Sequence, residues 1–183
     1  MSKDKAIPKI VDVFRRYGYE GATLARLSEA TGLGKASLYH HFPKGKEEMA
    51  AAVLDYLDRG LTDQLLAPLH SDRAPVDRLR AMSDNIDNFY KHGQQACVLA
   101  LLSAGDAHDL FGHQIQRSLK VWIDSLAEVA IEAGIDPNTA RQRAEDAVLQ
   151  IQGALVLARG LDDTTAFKRV LQRLPEMLLM PLN

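Results

Sequence analysis

Residues 23–49 read TLARLSEATGLGKASLYHHFPKGKEEM. Within this stretch Ser37, Tyr39, His40 and His41 crowd hydroxyl, phenol and imidazole groups together, with Lys35 just before them and Lys46 just after. These side chains donate and accept hydrogen bonds at base edges and phosphates. Ala36, small and beside them, lets a helix end come close to a surface. Thr23 stands where a helix starts, and its hydroxyl with the free backbone N–H groups behind it suits a phosphate. The same residues make a poor metal site. His40 and His41 are neighbours whose side chains should diverge on a helix, and His108 and His113 are five apart, with no recognised zinc spacing. No nucleophile motif or glycine-rich phosphate loop is present. The reading is therefore no metal, no cofactor and no enzyme.

The elements that must carry this segment are helices. Apolar residues recur at three-four spacing almost throughout, and strand-like alternation is nearly absent. The spacing predicts a first helix over 5–17, with Ile10, Val11, Phe14 and Tyr17 as its stripe, Pro8 in its first turn and Gly18 as its stop. Thr23 caps a second helix with Leu24, Leu27 and Ala30 facing inward. Gly32 then takes a left-handed cap, Leu33 plugs the turn, and a short third helix covers 35–41 up to Phe42 and Pro43. Two helices across so tight a turn make a helix-turn-helix pattern, whose second helix suits a major groove. Such pairs also occur in proteins that never touch DNA.

Further helices are expected at 46–66, 75–92, 95–103, 108–133, 137–159 and 163–173. Asp136 should cap the helix over 137–159, with Pro137 at its first position, while Gly160 ends that helix and Pro175 interrupts the pattern after the last one. The fold class is all-α, about nine helices: an N-terminal three-helix helix-turn-helix domain over 1–48 and a helical domain over 49–183.

Charge is uneven. Residues 1–50 carry nine Lys or Arg against six Asp or Glu, a net +3, while the remainder carries −5 within an overall −2. A mildly basic head fits an anionic partner. Cys97 is the single cysteine, so no intrachain disulfide forms and the chain reads as cytoplasmic. The first residues, MSKDKAIPK, do not read as a signal peptide, and no apolar run is long enough for a membrane span.

The run GYEGAT (Gly18–Thr23), then Leu27 through Phe42 as L-x-x-A-T-G-L-G-K-A-S-L-Y-H-H-F, then KEEM (Lys46–Met49), resembles the DNA-binding domain of the TetR (tetracycline repressor) family. The glycine in FPKGKEEM resembles a branch that includes repressors of multidrug-efflux and flavonoid-response genes. The resemblance implies a homodimeric, ligand-responsive repressor on a palindromic double-stranded DNA operator, without a membrane partner. It assigns Thr23, Tyr39 and Lys46 to phosphates and Lys35, Ala36, Ser37 and His40 to sequence reading. It also implies that the last two helices pair with those of a second copy. Ala144, Ala147, Val148, Ile151, Ala154, Leu155 and Ala158 form a small-residue stripe that fits this seam or an intrachain core equally well. A small, mainly apolar effector would bind inside the second domain, with Phe89, Tyr90, Cys97, Phe111, His113, Trp122 and Gln150 as candidate walls. Gln150, His113 and Gln114 enter as polar residues amid apolar stripes. The competing reading is a helical homodimeric binding or scaffold protein whose helix-turn-helix no longer binds DNA.

Overall fold

The structure is a computed structural model that describes residues 2–180, and among these it is all helical. Nine α-helices follow one another among the described residues: α1 (Lys3–Gly21), α2 (Leu24–Thr31), α3 (Lys35–His41), α4 (Lys46–Gly60), α5 (Pro75–Phe89), α6 (Val98–Leu102), α7 (Asp106–Glu132), α8 (Pro137–Leu161) and α9 (Thr165–Leu179). A π-helical turn (Leu61–Leu66) and a 3-10 turn (Ala67–His70) extend α4. The chain packs as two compact units. One comprises the chain up to Arg59 together with Cys97–Gln116, and the other comprises Gly60–Ala96 with the chain from Arg117 onward.

In the first unit, α1 buries Ala6, Ile7, Ile10, Val11, Val13 and Phe14 on one face. Its start lies at Lys3, so Pro8 falls in the second turn rather than the first. The cost is one N–H that would have bonded the Asp4 carbonyl, and burial of Ala6 and Ile7 keeps that turn helical. Gly18, at φ 66°, breaks the helical path as expected, and the chain makes one more turn to Gly21. Leu27, Leu38, Phe42 and Met49 are fully buried and tie α2, α3 and α4 to one core. Ala30, expected to face inward, is exposed; Thr31 is buried in its place.

In the second unit α8 packs along α9, and α9 along α5. The Asp136 carboxylate caps α8 by accepting from the backbone N–H of Asn138 at 3.0 Å and of Thr139 at 3.3 Å. Two expected stops do not act. Gly160 stays helical and α8 ends at Leu161, with Asp162 taking the left-handed cap at φ 51°. Pro175 lies inside α9, which runs on to Leu179. Pro175 withholds the N–H due to the Leu171 carbonyl, but Leu171, Leu174, Pro175 and Leu178 are all buried, and that apolar face holds the helix together. Arg78, also buried, donates from Nη1 to the Leu69 carbonyl at 2.8 Å and pairs through Nη2 with Glu132. No helix among the described residues is long and apolar enough to cross a membrane.

Candidate nucleic-acid interface

The turn between α2 and α3 is built by its own sequence. Gly32 takes φ 71° and ψ 13°, a left-handed cap that costs other L-residues about 1–2 kcal/mol. Its N–H bonds the carbonyls of Ser28 and Glu29. The buried Thr31 hydroxyl donates to the Leu27 carbonyl at 2.6 Å and accepts from the Leu33 N–H at 3.3 Å. The Ser28 hydroxyl donates to the Leu33 carbonyl at 2.6 Å. Ser28 and Thr31 thereby lock the turn that aims α3, a role the sequence reading missed. The signal was a hydroxyl residue immediately before a left-handed glycine, where a threonine can cap both sides of the turn.

Helix α3 is anchored by one buried residue, Leu38, and by Phe42 behind it. Lys35, Ala36, Ser37, Tyr39 and His40 are all exposed, so the five candidates on α3 share an outward surface. The Lys35 ammonium has no partner among the described residues and is free for an anion. The His40 and His41 rings do not diverge as expected: their centroids lie 5.5 Å apart, edge to face. Among the described residues no three His, Cys, Asp or Glu side chains gather in a way that could hold a metal.

Thr23 caps α2, its hydroxyl oxygen accepting from the Arg26 N–H at 3.3 Å. The hydroxyl proton remains available to an acceptor outside the chain. The Tyr39 ring lies against Gly45, where an added Cβ would come within 3.3 Å of its Cε1 atom. Lys46 is placed differently from the rest. Its ammonium donates to the Tyr19 carbonyl at 3.0 Å and lies 4.2 Å from the centre of the Tyr19 ring.

The pattern of the bacterial regulatory proteins of the tetR family matches residues 9–53, and that of the LmrA/YxaF-like transcriptional regulator C-terminal domain matches residues 75–173, more than half of the chain. The chain belongs to the TetR family. It is 26% identical to an uncharacterized HTH-type transcriptional regulator of Mycobacterium tuberculosis over 98% of this chain and 95% of that one. It is 19% identical to the HTH-type transcriptional regulator LmrA of Bacillus subtilis over 97% of this chain and 96% of that one. Its fold matches a TetR transcriptional regulator from Legionella pneumophila with a TM-score of 0.84 at 19% identity, over 97% of both chains. It likewise matches reduced NemR of E. coli with a TM-score of 0.79 at 18% identity, over 99% and 98%. The protein is thus a TetR-type, DNA-binding transcriptional regulator.

The TetR effector candidates are divided between the two units. Cys97, Phe111 and His113 belong to the first unit, where Phe111 packs edge-on against Tyr19 at 5.8 Å. Phe89, Tyr90, Trp122 and Gln150 belong to the second. Of these, Phe89 and Tyr90 touch, with centroids 5.1 Å apart, and Tyr90 meets Phe167 at 6.3 Å. Gln150 and His113 are exposed, which removes the reason for choosing them; Gln114 is half-buried and donates to Asp55 at 2.6 Å. The buried polar groups left without a hydrogen-bond partner in the second unit include the Trp122 indole N–H and both amide atoms of Gln152. Gln152 was missed because the three-four rule does not separate it from Gln150 near the edge of a stripe. The second unit also holds two open cavities. A groove of about 450 Å³ between α5 and α9 is lined by Asp84, Asp87, Lys168 and Gln172, and one of about 420 Å³ by Arg73, Arg78, Ser125 and Glu128. None of the seven candidates lines either.

Proposed function

We propose that this protein is a homodimeric repressor in the cytoplasm that holds a palindromic operator and leaves it when a small, mainly apolar effector binds. In this reading residues 1–48 read DNA and residues 49–183 bind effector and partner. The observation that carries it is the single outward surface of α3, on which Lys35, Ala36, Ser37, Tyr39 and His40 are exposed around one buried anchor, Leu38. A surface helix with that much exposed hydrogen-bonding capacity and so little bulk suits a major groove. Thr23, Tyr39 and Lys46 take phosphates, and Lys35, Ala36, Ser37 and His40 read bases. The glycine in FPKGKEEM is what places the chain, in this reading, in the multidrug-efflux and flavonoid-responsive branch.

The dimer reading rests on α8, but on a different stripe from the one the spacing suggested. Ala144, Ala147, Val148, Ile151, Ala154, Leu155 and Ala158 are all buried within the single chain, so they are intrachain core. On the opposite face Leu149, Gly153, Val156 and Gly160 follow one another at four-, three- and four-residue steps, and Leu149 and Val156 are 69% and 67% exposed. Leu157 and Leu161 extend this apolar surface. Apart from the helix's own backbone and the adjacent residues, no atom of the described residues lies within 4 Å of where a Cβ on Gly153 or Gly160 would sit. A mid-helix glycine costs about 1 kcal/mol relative to alanine, and nothing inside the chain requires one at Gly153. A second copy of the helix does, because small residues let two backbones approach closely.

For the effector, the unpaired Trp122 N–H and Gln152 amide in a largely apolar unit support a guest that presents both an acceptor and a donor. Release from DNA requires that the effector favour a spacing of the two recognition helices that no longer fits successive major grooves. Operator and effector then weaken each other by the same factor. A gel shift with the DNA upstream of the protein's own gene, repeated with apolar aromatic compounds, tests the reading. A retarded band that a compound abolishes is expected; a folded dimer that retards neither this DNA nor genomic fragments would favour the scaffold reading instead.

A further inference from the structure

We propose that the groove between α5 and α9 is a binding site for a small primary amine with an apolar, ring-sized body. The groove lies wholly within the second unit, so the site stands whether or not the surface of α3 binds DNA. Its volume of about 450 Å³ is that of a small-molecule cavity. Leu171 and Pro175, both buried, give it an apolar wall on α9.

The inner polar groups of the groove accept hydrogen bonds and offer none. Ser83 is 7% exposed, and its hydroxyl donates to the Leu79 carbonyl at 2.9 Å, which leaves its oxygen as an acceptor. Asp87 places Oδ2 2.6 Å from His92 Nδ1, while its Oδ1 is buried with no hydrogen-bond partner. The Asp87 main-chain carbonyl also accepts from the His92 N–H at 2.7 Å, so this carboxylate is held at two points. Pro175 adds a third acceptor, because it has no N–H to give the Leu171 carbonyl one turn before it. Acceptors in such a wall call for a donor. A primary ammonium brings three on a single atom.

The charges favour a cation as well. The two basic side chains at the groove are engaged by carboxylates that do not line it. Arg80 pairs with Asp77 at 3.3 Å. Lys168 acts on Asp163, whose carboxyl is held below its ordinary range first by hydrogen bonds from Thr165 and then in part by this lysine. Asp84 and Asp87 line the groove itself, and neither pairs with a lysine or arginine among the described residues. An anionic guest would meet both carboxylates, and a purely apolar one would leave the acceptors unpaired.

The test is calorimetric titration of the full chain with tryptamine, and with 3-ethylindole, which has the same ring and no ammonium. We expect saturable binding of one tryptamine per chain and at least tenfold weaker binding of 3-ethylindole. Asp87→Asn keeps the shape of the side chain and removes its charge. It should weaken tryptamine about tenfold to a hundredfold, as expected when a charge-assisted hydrogen bond is lost. Pro175→Ala returns an N–H to the Leu171 carbonyl without endangering the helix, and it should weaken tryptamine severalfold. Glu128→Gln, in the other cavity, should bind like the parent. Amide NMR shifts on adding tryptamine should centre on residues 83–87 and 168–175. No saturable binding at millimolar tryptamine overturns the proposal, as do shifts centred on Trp122 and Gln152, or parent-like affinity in both Asp87→Asn and Pro175→Ala. Should Asp87→Asn fail to fold, Pro175→Ala and the NMR shifts decide it.

Discussion

Replacing Val156 with arginine separates the two faces of α8 by experiment. Val156 is 67% exposed in the single chain, whereas Ala154, two residues away, is 4% exposed. A guanidinium at position 156 costs the isolated chain almost nothing, since its side chain stays in water. In a two-fold dimer through this face it is buried twice, once from each copy. An unpaired buried charge costs about 3 kcal/mol or more, so two copies lose roughly 6 kcal/mol, which at about 1.4 kcal/mol per tenfold weakens the dimer about 10⁴-fold. Ala154→Arg instead forces a charge into the contact of α8 with its own chain, and the same penalty falls on folding. Sedimentation velocity at micromolar concentration, paired with thermal melting by circular dichroism, reads both. The expected pattern is a folded monomer for Val156→Arg, a dimer for the parent, and a lowered melting point or no folded protein for Ala154→Arg. A Val156→Arg chain that stays dimeric, or a parent that sediments as monomer, refutes the assignment of this face.

On DNA, Tyr39→Phe should weaken cognate and random duplexes alike by about 1 kcal/mol, the value of one hydrogen bond, whereas His40→Ala should weaken the cognate site by about 1–3 kcal/mol and random DNA less; anisotropy titrations at fixed salt distinguish them. Gly32→Ala should destabilise the fold by about 1–2 kcal/mol in urea, because alanine must adopt φ 71°, although the space around its Cβ is open; Gly32→Asn should lose less. The Asp136 carboxyl is held below its ordinary value first by the side-chain hydrogen bond from Thr139, then by backbone hydrogen bonds at the start of α8. A depressed carboxyl stabilises the fold above its unfolded pKa and loses that contribution as pH falls through the folded one. The melting point of Asp136→Ala should therefore lie below the parent's at pH 7, and the gap should narrow as pH drops below about 4.

How much of this could be read from the sequence follows from how local each determinant is. Thr23, Gly32 and Asp136 were legible because a cap is settled by the dihedrals and hydrogen bonds of a few adjacent residues, and all three act as caps at those positions. The outward surface of α3 was legible for the same reason: with Leu38 and Phe42 buried, helical periodicity leaves Ser37, Tyr39 and His40 outside. Pro8, Gly160 and Pro175 misled because each is a local breaker overruled by its helix, and the apolar faces that overrule them depend on packing from distant parts of the chain. The effector site was the least legible. Phe111 and Trp122 lie on one helix and look alike in sequence, yet they fall in different packing units.

Helix α8 shows the limit most clearly, because it carries two stripes of small residues rather than one. The inner stripe places Ala144, Ala147, Ala154 and Ala158 against the chain's own core, and the outer one places Gly153 and Gly160 toward solvent. A hydrophobicity pattern alone scores the alanines as the stronger seam and passes over the glycines as helix breakers. The physical distinction lies in what each absent side chain would meet. Within the chain an alanine methyl is sufficient for close packing on α9, and glycine would only add backbone entropy cost. Outside it, a glycine that meets no atom beyond its own helix among the described residues still bears that cost, and only an approaching second backbone makes the absence of a methyl useful. That asymmetry, invisible to periodicity, is why the outer stripe and not the inner one is the face to mutate.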